Sequence, residues 1–297
     1  MATCMILAGC TSQPGKPGAP PRVRPLLPGI SQTHPPSGAS PDGSPARDKR
    51  TELPLPLQRD APSFFETRAS RVPLQAGIKR VTSRGISLIL FLFDDRNYSI
   101  SVADKEQGPQ TEWPTAKAAA KAHKALAAIN AGFFTPEGRP LGLVIENGRQ
   151  IGTWNAQSSL ASGLLSVEKS PRLLRRQHWR SFSPTSHLVQ AGPLLVENSL
   201  AVNGLDDGEH CPRSFLTWDG GSRWAFGYCE KATLSELALS LAAQPLKQLD
   251  ITTALNLDGG RSSDLWVSPE VPGGPLTTRK LWNRPVRNYL LLHRRSR

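Results

Sequence analysis

The sequence predicts an α+β domain built on a mainly antiparallel or mixed curved sheet with a few packed helices. Three observations lead there. Short, apolar, β-prone runs recur from residue 86 to the C-terminus, Asn-Gly and Asp-Gly-Gly turns separate several of them, and only two stretches carry a helical period. Strand and helix do not alternate as in a βαβ chain, which argues against a parallel, doubly wound sheet.

The first sixty residues differ from the rest. Residues 1–10 contain Leu7-Ala8-Gly9-Cys10, which resembles the lipobox of bacterial lipoproteins, with Cys10 as the candidate lipid anchor. The leader lacks the charged segment and the run of about 7–15 apolar residues of a secretory signal. It is read as a truncated lipoprotein signal, the alternative being an accidental match. Residues 11–60 are dominated by Pro, Gly, Ser and Arg with very few aromatics, so they cannot bury enough apolar area to offset their ordering entropy and are expected to form a disordered linker. Residues 61–297 are expected to fold as one domain.

Within that domain, residues 86–93 are almost continuously apolar, and residues 98–102 alternate after Asp94-Asp95-Arg96-Asn97. This predicts a buried strand hairpinned to a second. Residues 115–128 are alanine-rich, follow Pro114 and place lysines toward solvent, so they predict a helix that ends in Ile129-Asn130-Ala131-Gly132-Phe133-Phe134. Asn147-Gly148 between residues 143–146 and 149–151 predicts a type I′ hairpin. Strand patterns continue at 164–167, 187–190, 194–197 and 201–202. Residues 213–218 and 223–228 flank Asp219-Gly220-Gly221-Ser222 as another hairpin. Cys211 and Cys229 lie almost symmetrically about it. A cross-strand disulfide is expected if a bulge or a three-residue loop corrects the register, the alternative being two half-buried thiols. A second helix over 234–243 opens with a Thr233/Glu236 capping box, repeats Leu234, Leu237, Ala238 and Leu241 on one face and precedes Pro245. Strands at 251–257 and 289–292 complete the set.

Composition narrows the function classes. The chain has 38% hydrophobic residues and a mean hydropathy of -0.34. No apolar run approaches the roughly 20 residues that cross a bilayer, so a transmembrane enzyme is not expected. The net charge is +12, but the positives are scattered among Arg47, Lys49 and Arg50 of the linker, Arg172, Arg175, Arg176, Arg180 and the C-terminal Arg294, Arg295 and Arg297, with no groove-reading helix or RNA-binding aromatic signature. Nucleic acid is therefore not an expected partner. A basic surface facing anionic lipid or an anionic substrate is. Six dispersed histidines give no ligand pair, and Asp206, Asp207 and Glu209 read as a solvated loop rather than a Ca²⁺ site. No metal or cofactor is expected. Ser166-Val167-Glu168-Lys169 matches a penicillin-binding string but lies in a strand pattern without its partner motifs.

The segment Ala254-Leu255-Asn256-Leu257-Asp258-Gly259-Gly260-Arg261-Ser262-Ser263-Asp264 places a carboxylate at the end of an apolar strand, before glycines that let a ligand approach backbone N–H groups. Asp-Gly-Gly alone signifies nothing, because Asp219-Gly220-Gly221-Ser222 repeats it in a hairpin. The context differs: Asn256 and Asp258 share a strand face by the period-two rule, and Ser262 and Ser263 follow. Asn130 reads equally as a helix C-cap. Gly192-Pro193 reads equally as a bulge. Arg213 either stacks on Trp218 or Trp224 or holds a phosphate.

Asn130-Ala131-Gly132-Phe133-Phe134, Ala191-Gly192-Pro193-Leu194-Leu195, Arg213-Ser214, the capped helix after Thr233 and Ala254-Leu255-Asn256-Leu257-Asp258-Gly259-Gly260 are each weak signals. In this order and spacing the chain resembles the phosphodiester glycosidase family over residues 74 to 292. The resemblance implies active-site positions at Asn130, Gly192, Arg213, Asn256, Asp258, Gly259 and Ser262. Asp258, Arg213 and Asn130 are the candidate catalytic residues, and Asn256, Gly192, Gly259, Gly260, Ser262 and Ser263 the substrate-binding ones. Arg261 stands where relatives carry a third glycine, which puts the substrate fit in question. The implied activity is exported hydrolysis of a sugar-1-phosphodiester or related cell-envelope glycan, periplasmic or anchored at the outer membrane. Asp258 would activate water or stabilise an oxocarbenium-like transition state. Arg213 would grip the phosphate, Gly259, Gly260 and Ser262 would bind its oxygens, and Asn130 and Asn256 would orient sugar hydroxyls. Two other readings use the same residues: a non-catalytic module binding anionic envelope polysaccharide, and a lipoprotein scaffold for exopolysaccharide assembly.

Overall fold

In the computed structural model, residues 72–180 and 184–296 are described, and they form seventeen strands and two α-helices. The leader with Cys10 and the linker lie outside the described residues. In chain order the elements are β1 (Gly77–Ser83), β2 (Ile86–Asp94), β3 (Tyr98–Asp104), α1 (Ala116–Ala122), β4 (Ala127–Asn130), β5 (Val144–Glu146), β6 (Arg149–Ile151), β7 (Gly163–Val167) and β8 (Pro171–Arg175). There follow β9 (His187–Ala191), β10 (Leu194–Glu197), β11 (Leu200–Ala201), β12 (Cys211–Trp218), β13 (Arg223–Ala232), α2 (Leu234–Ala242), β14 (Thr253–Asn256), β15 (Leu265–Val267), β16 (Leu276–Thr277) and β17 (Asn288–Arg294).

The strands make three sheets. One runs β1-β2-β13-β12-β14-β10-β11, the second β16-β15-β4-β17-β3 and the third β6-β5-β9-β7-β8. Every pairing among the described residues is antiparallel. The α+β assignment therefore holds in its antiparallel form. The chain is richer in β-structure than a few packed helices implied, with α1 and α2 the only α-helices among the described residues.

The sequence explains which strands lie inside. β2 reads ISLILFLFD because both its faces are covered. Phe91 and Phe93 join Phe226, Ile129, Leu165, Val189 and Leu290 in a core shared by all three sheets. Leu88, Leu90 and Leu92 face the other way, toward Leu237, Ala238 and Leu241 of α2. Burying each such side chain contributes about 1.5–3 kcal/mol. The capping box predicted for α2 is present, with Thr233 accepting from the Glu236 amide and Glu236 accepting in return. Asn147 and Gly148, at φ 49° and 78°, make the predicted turn between β5 and β6. No helix among the described residues is long and apolar enough to cross a membrane.

Three expectations are corrected. β2 and β3 are not a hairpin: β2 pairs with β1 and β13 in one sheet, whereas β3 pairs with β17 in another. The polar link carries the chain between sheets, and Arg96 is folded back onto Asp94 at 2.7 Å. The alanine-rich helix stops at Ala122, where His123 caps it and Lys124 takes φ 54°. Ala127-Ala128-Ile129-Asn130 is instead a fully buried strand between β15 and β17. Tertiary context overrides alanine's helix preference there, since Ala128 must leave room for α1 on one face while Ile129 enters the main core on the other. Cys211 and Cys229 form no disulfide. The register sets Cys229 opposite Arg213 and Cys211 opposite Ala232, so the two sulfurs lie on different rows.

Gly227 of β13 tests the sheet's tolerance. Phe215 on β12 lies directly opposite, its ring where a Cβ would stand, and Leu90 of β2 pairs on the other side. Neither backbone nor ring can withdraw. Gly227→Ala is expected to cost about 1–3 kcal/mol in urea unfolding, and unaltered stability would show that the ring can relocate.

Candidate functional site

Asp258 follows the end of β14, where the chain leaves the seven-stranded sheet and reaches the end of β4 in another. The Asp258 N–H donates to the Ala131 carbonyl at 2.9 Å, and the Asp258 carbonyl accepts from Asn130 Nδ2 at 2.6 Å. Asn130 Oδ1 accepts the Asp264 N–H at 2.9 Å. One buried side-chain amide thus holds both ends of the segment from Asp258 to Asp264. Asn130 is wholly buried with donor and acceptor both engaged. It sits in a strand, not at a helix C-cap, and its amide is not presented to a sugar hydroxyl.

Between these clamped ends, Gly259 is extended and Gly260–Ser262 form a 3₁₀ turn that Gly260 enters at φ 58°. Gly259 runs past Arg213: a Cβ added there would stand 3.2 Å from the Pro212 carbonyl and 3.7 Å from Arg213 Nη1. The turn folds back over Asp258, whose carboxylate is hydrogen-bonded by the Ser262 side chain and the Gly259 amide. Ser263 is buried and donates to the Pro212 carbonyl at 3.1 Å. Its role is to fasten the loop to β12.

Asp258 as a residue is half-buried, its carboxyl enclosed by the turn. Burial pushes its pKa up to about 7, while Ser262, Gly259 and the charge of Arg284 pull the other way. Six residues on, Asp264 is also raised by burial, but its carboxylate accepts from the Ala116 amide at 2.8 Å and from Arg279 at 3.1 Å. Asp264 is thereby tied to α1 and Arg279, and Asp258 to its own loop.

Asn256 ends β14 only 2% exposed. Its Nδ2 donates to the Gly192 carbonyl at 2.9 Å, while Oδ1 is buried without a hydrogen-bond partner among the described residues. Gly192 is needed for close approach: a Cβ there would lie 2.5 Å from the Ser159 carbonyl and 2.8 Å from Ser162 Oγ. Arg213 is buried and stacks on neither tryptophan, because Trp218 and Trp224 stack on each other at 5.3 Å. It donates Nε to the Ala232 carbonyl at 3.1 Å and Nη2 to the Glu209 carbonyl at 2.7 Å, leaving only Nη1 near Gly259.

Asn130, Arg213, Asp258, Gly259, Gly260, Ser262 and Ser263 are therefore one neighbourhood, with Asn256 and Gly192 buttressing its β14 side. Sequence reasoning missed Arg284. Its N–H donates to the Arg261 carbonyl at 2.8 Å, its side chain is exposed and its charge reaches Asp258. Nothing local marks it. A cavity of about 430 Å³ opens elsewhere, lined by Leu74, Ile78, Leu92, Gln248 and Pro272 beside β1. Three strands separate β1 from β14, and the cavity lining carries no acid.

No curated protein matches the chain significantly. The catalytic domain of zebrafish N-acetylglucosamine-1-phosphodiester alpha-N-acetylglucosaminidase, auto-inhibited by its pro-peptide, shares the fold at 18% identity and a TM-score of 0.55, over 77% of this chain and 86% of that one. A hypothetical protein from Synechocystis aligns at 18% identity and a TM-score of 0.49, over 76% and 65%. The sequence model of the phosphodiester glycosidases matches residues 123–293, more than half of the chain, and spans Asn130, Gly192, Arg213 and the whole Asp258 loop. The chain belongs to the phosphodiester glycosidase family.

Proposed function

We propose that the protein is an exported hydrolase of a sugar-1-phosphodiester or related cell-envelope glycan, acting in the periplasm or anchored at the outer membrane. The observation that carries the activity is the carboxyl of half-buried Asp258, held by the Asn130 clamp at the meeting of two sheets, within a family of phosphodiester glycosidases. The reaction adds water across the bond between the sugar's C1 and the phosphate oxygen, releasing free sugar and a phosphate monoester. That leaving group is a weak base and needs little protonation. A single prominent carboxylate then suffices: Asp258, ionised, takes a proton from the attacking water and stabilises positive charge developing at C1. Ser262 and the Gly259 amide hold its charged form in place. Asn130 acts on the reaction as a positioning residue, through the backbone of Asp258.

Because the ionised form does the work, kcat/KM for sugar release should rise with pH through about 7 and then level. Asp258→Asn should lower it by about 100-fold or more, while Asp219→Asn, in the turn of like sequence, should leave it unchanged. Equal activity in both variants would overturn the assignment, and tight binding of polymer without turnover would favour a binding module.

Stability gives a second readout. The folded pKa of Asp258 lies above its value of 3.8 in the unfolded chain. Ionisation therefore favours unfolding as pH rises from about 4 to 7. Asp258→Asn removes that opposition, so the variant should match the wild type below pH 4 and exceed it by about 1–3 kcal/mol above pH 7. A variant less stable at pH 8 would contradict the poised state of the carboxyl.

A further inference from the structure

The segment before β17 is bound to the Asp258 loop at three points. Asn283 Nδ2 donates to the Ser263 carbonyl at 2.6 Å, the Arg284 N–H to the Arg261 carbonyl at 2.8 Å, and Arg261 Nε to the Trp282 carbonyl at 3.0 Å. Two of its cations are committed elsewhere: Arg279 pairs with Asp264 at 3.1 Å and Lys280 with Glu230 at 2.9 Å. Arg261 and Arg284 are exposed and form no ion pair among the described residues. Beside them the chain turns two apolar side chains fully outward, Leu281 at 103% and Trp282 at 57% exposure.

This arrangement is not needed for folding. A solvated turn between Lys280 and Arg284 would close equally well with polar residues, and an exposed Leu-Trp pair loses the free energy that burial would give it. Its placement is what distinguishes it. An uncommitted guanidinium and an apolar pair lie on one rigid turn, hydrogen-bonded to the loop that carries the reacting carboxyl. An anion with an apolar substituent has the matching chemistry. Arg213, the cation expected from sequence, is a poorer receptor, since it is buried with two of its three nitrogens already donating to backbone carbonyls.

We propose that this turn is the leaving-group subsite: Arg284 takes the phosphodiester anion, and Leu281 with Trp282 takes an apolar chain esterified to it. The substrate is then a sugar joined through phosphate to a lipid-like alcohol, and hydrolysis yields free sugar and the alkyl phosphate. Arg261 steadies the turn through the Trp282 carbonyl, which gives a use to the arginine that stands in place of a glycine. This substrate class rests on the activity proposed above, but the subsite can be measured without turnover.

Calorimetric titration of the full chain with octyl methyl phosphate and dimethyl phosphate tests it. The octyl ester should bind about tenfold tighter or better. Trp282→Ala combined with Leu281→Ser should bring the two esters within about twofold of each other. Arg284→Gln should weaken both by about tenfold, with Arg284→Lys recovering part of the loss. Equal binding of the two esters, a chain preference that survives loss of Leu281 and Trp282, or indifference to Arg284→Gln would each overturn the subsite. Turnover of a panel of sugar-1-(octyl phosphates) against their methyl counterparts separates the two readings. Sugar release with no preference for the longer chain retires the subsite and keeps the enzyme. The predicted binding pattern without sugar release from any ester retires the enzyme and keeps the subsite.

Discussion

The geometry of the Asp258 loop depends on one side-chain amide. Asn130 closes β4, and its two polar atoms reach the carbonyl of Asp258 and the amide of Asp264. No other short side chain offers a donor and an acceptor from one rigid planar group. The effect spreads outward. Fixing Asp264 fixes the partner of the α1 N-terminus at Ala116 and of Arg279. Fixing Ser263 provides the carbonyl that Asn283 grips. The turn bearing Trp282 and Arg284 is thus held, at one remove, by a strand residue about 150 positions earlier in the chain.

Nearly identical sequences behave differently because of what surrounds them. Asp219-Gly220-Gly221-Ser222 and Asp258-Gly259-Gly260-Arg261 both begin with Asp-Gly-Gly. Asp219 turns its carboxylate onto its own loop, where Oδ1 accepts from the Gly221 and Arg223 amides at 2.7 and 3.0 Å. It stabilises a hairpin. Asp258 also accepts from its own loop, at the Gly259 amide and the Ser262 side chain, but its backbone is in addition fixed by a different sheet through Ala131 and Asn130. The same Asp-Gly-Gly closes a hairpin in one place and joins two sheets in the other.

That distinction sets how much of the molecule could be read from sequence. β2, α2 and the Asn147-Gly148 hairpin were legible because their signals are local: an apolar run, a capping box, two residues suited to positive φ. β1 was missed. It is an edge strand whose residues are mostly half-buried or exposed, so GIKRVTS carries no apolar period. β4 was misread because Ala128 is small to fit beneath α1 while Ala127 and Ile129 line the main core, a reason visible only in three dimensions. The family-like segments were legible as a list, and Asn130, Arg213 and the Asp258 loop among them meet in the structure. The work of each residue was not legible. Whether Asn130 faces a ligand or a carbonyl depends on a neighbour more than a hundred residues away, and Arg284 becomes noticeable only through a hydrogen bond to Arg261.

The net charge of +12 looked like a property of the surface as a whole, but the arginines divide by what they hold. Arg287 is buried against Asp104 at 2.7 Å and Arg175 pairs with Glu197 at 2.7 Å. Arg176 and Arg213 brace loops by donating to backbone carbonyls. Such cations are already satisfied and attract little. A surface that was merely basic would spread its uncommitted charge, and screening over a Debye length of about 8 Å would make it a weak, general attraction. Arg261 and Arg284 are exposed and joined by a hydrogen bond at the Asp258 loop, and Arg284 carries its charge to the one acid among the described residues lifted to about 7. The charge of Arg284 lowers the cost of ionising Asp258, and a phosphodiester bound as proposed would cancel that help by neutralising it. In the proposed mechanism, substrate binding would then raise the proton affinity of the carboxyl just as a water molecule must surrender a proton to it, so the cation that draws the anion in would also prepare the base to act once it has arrived.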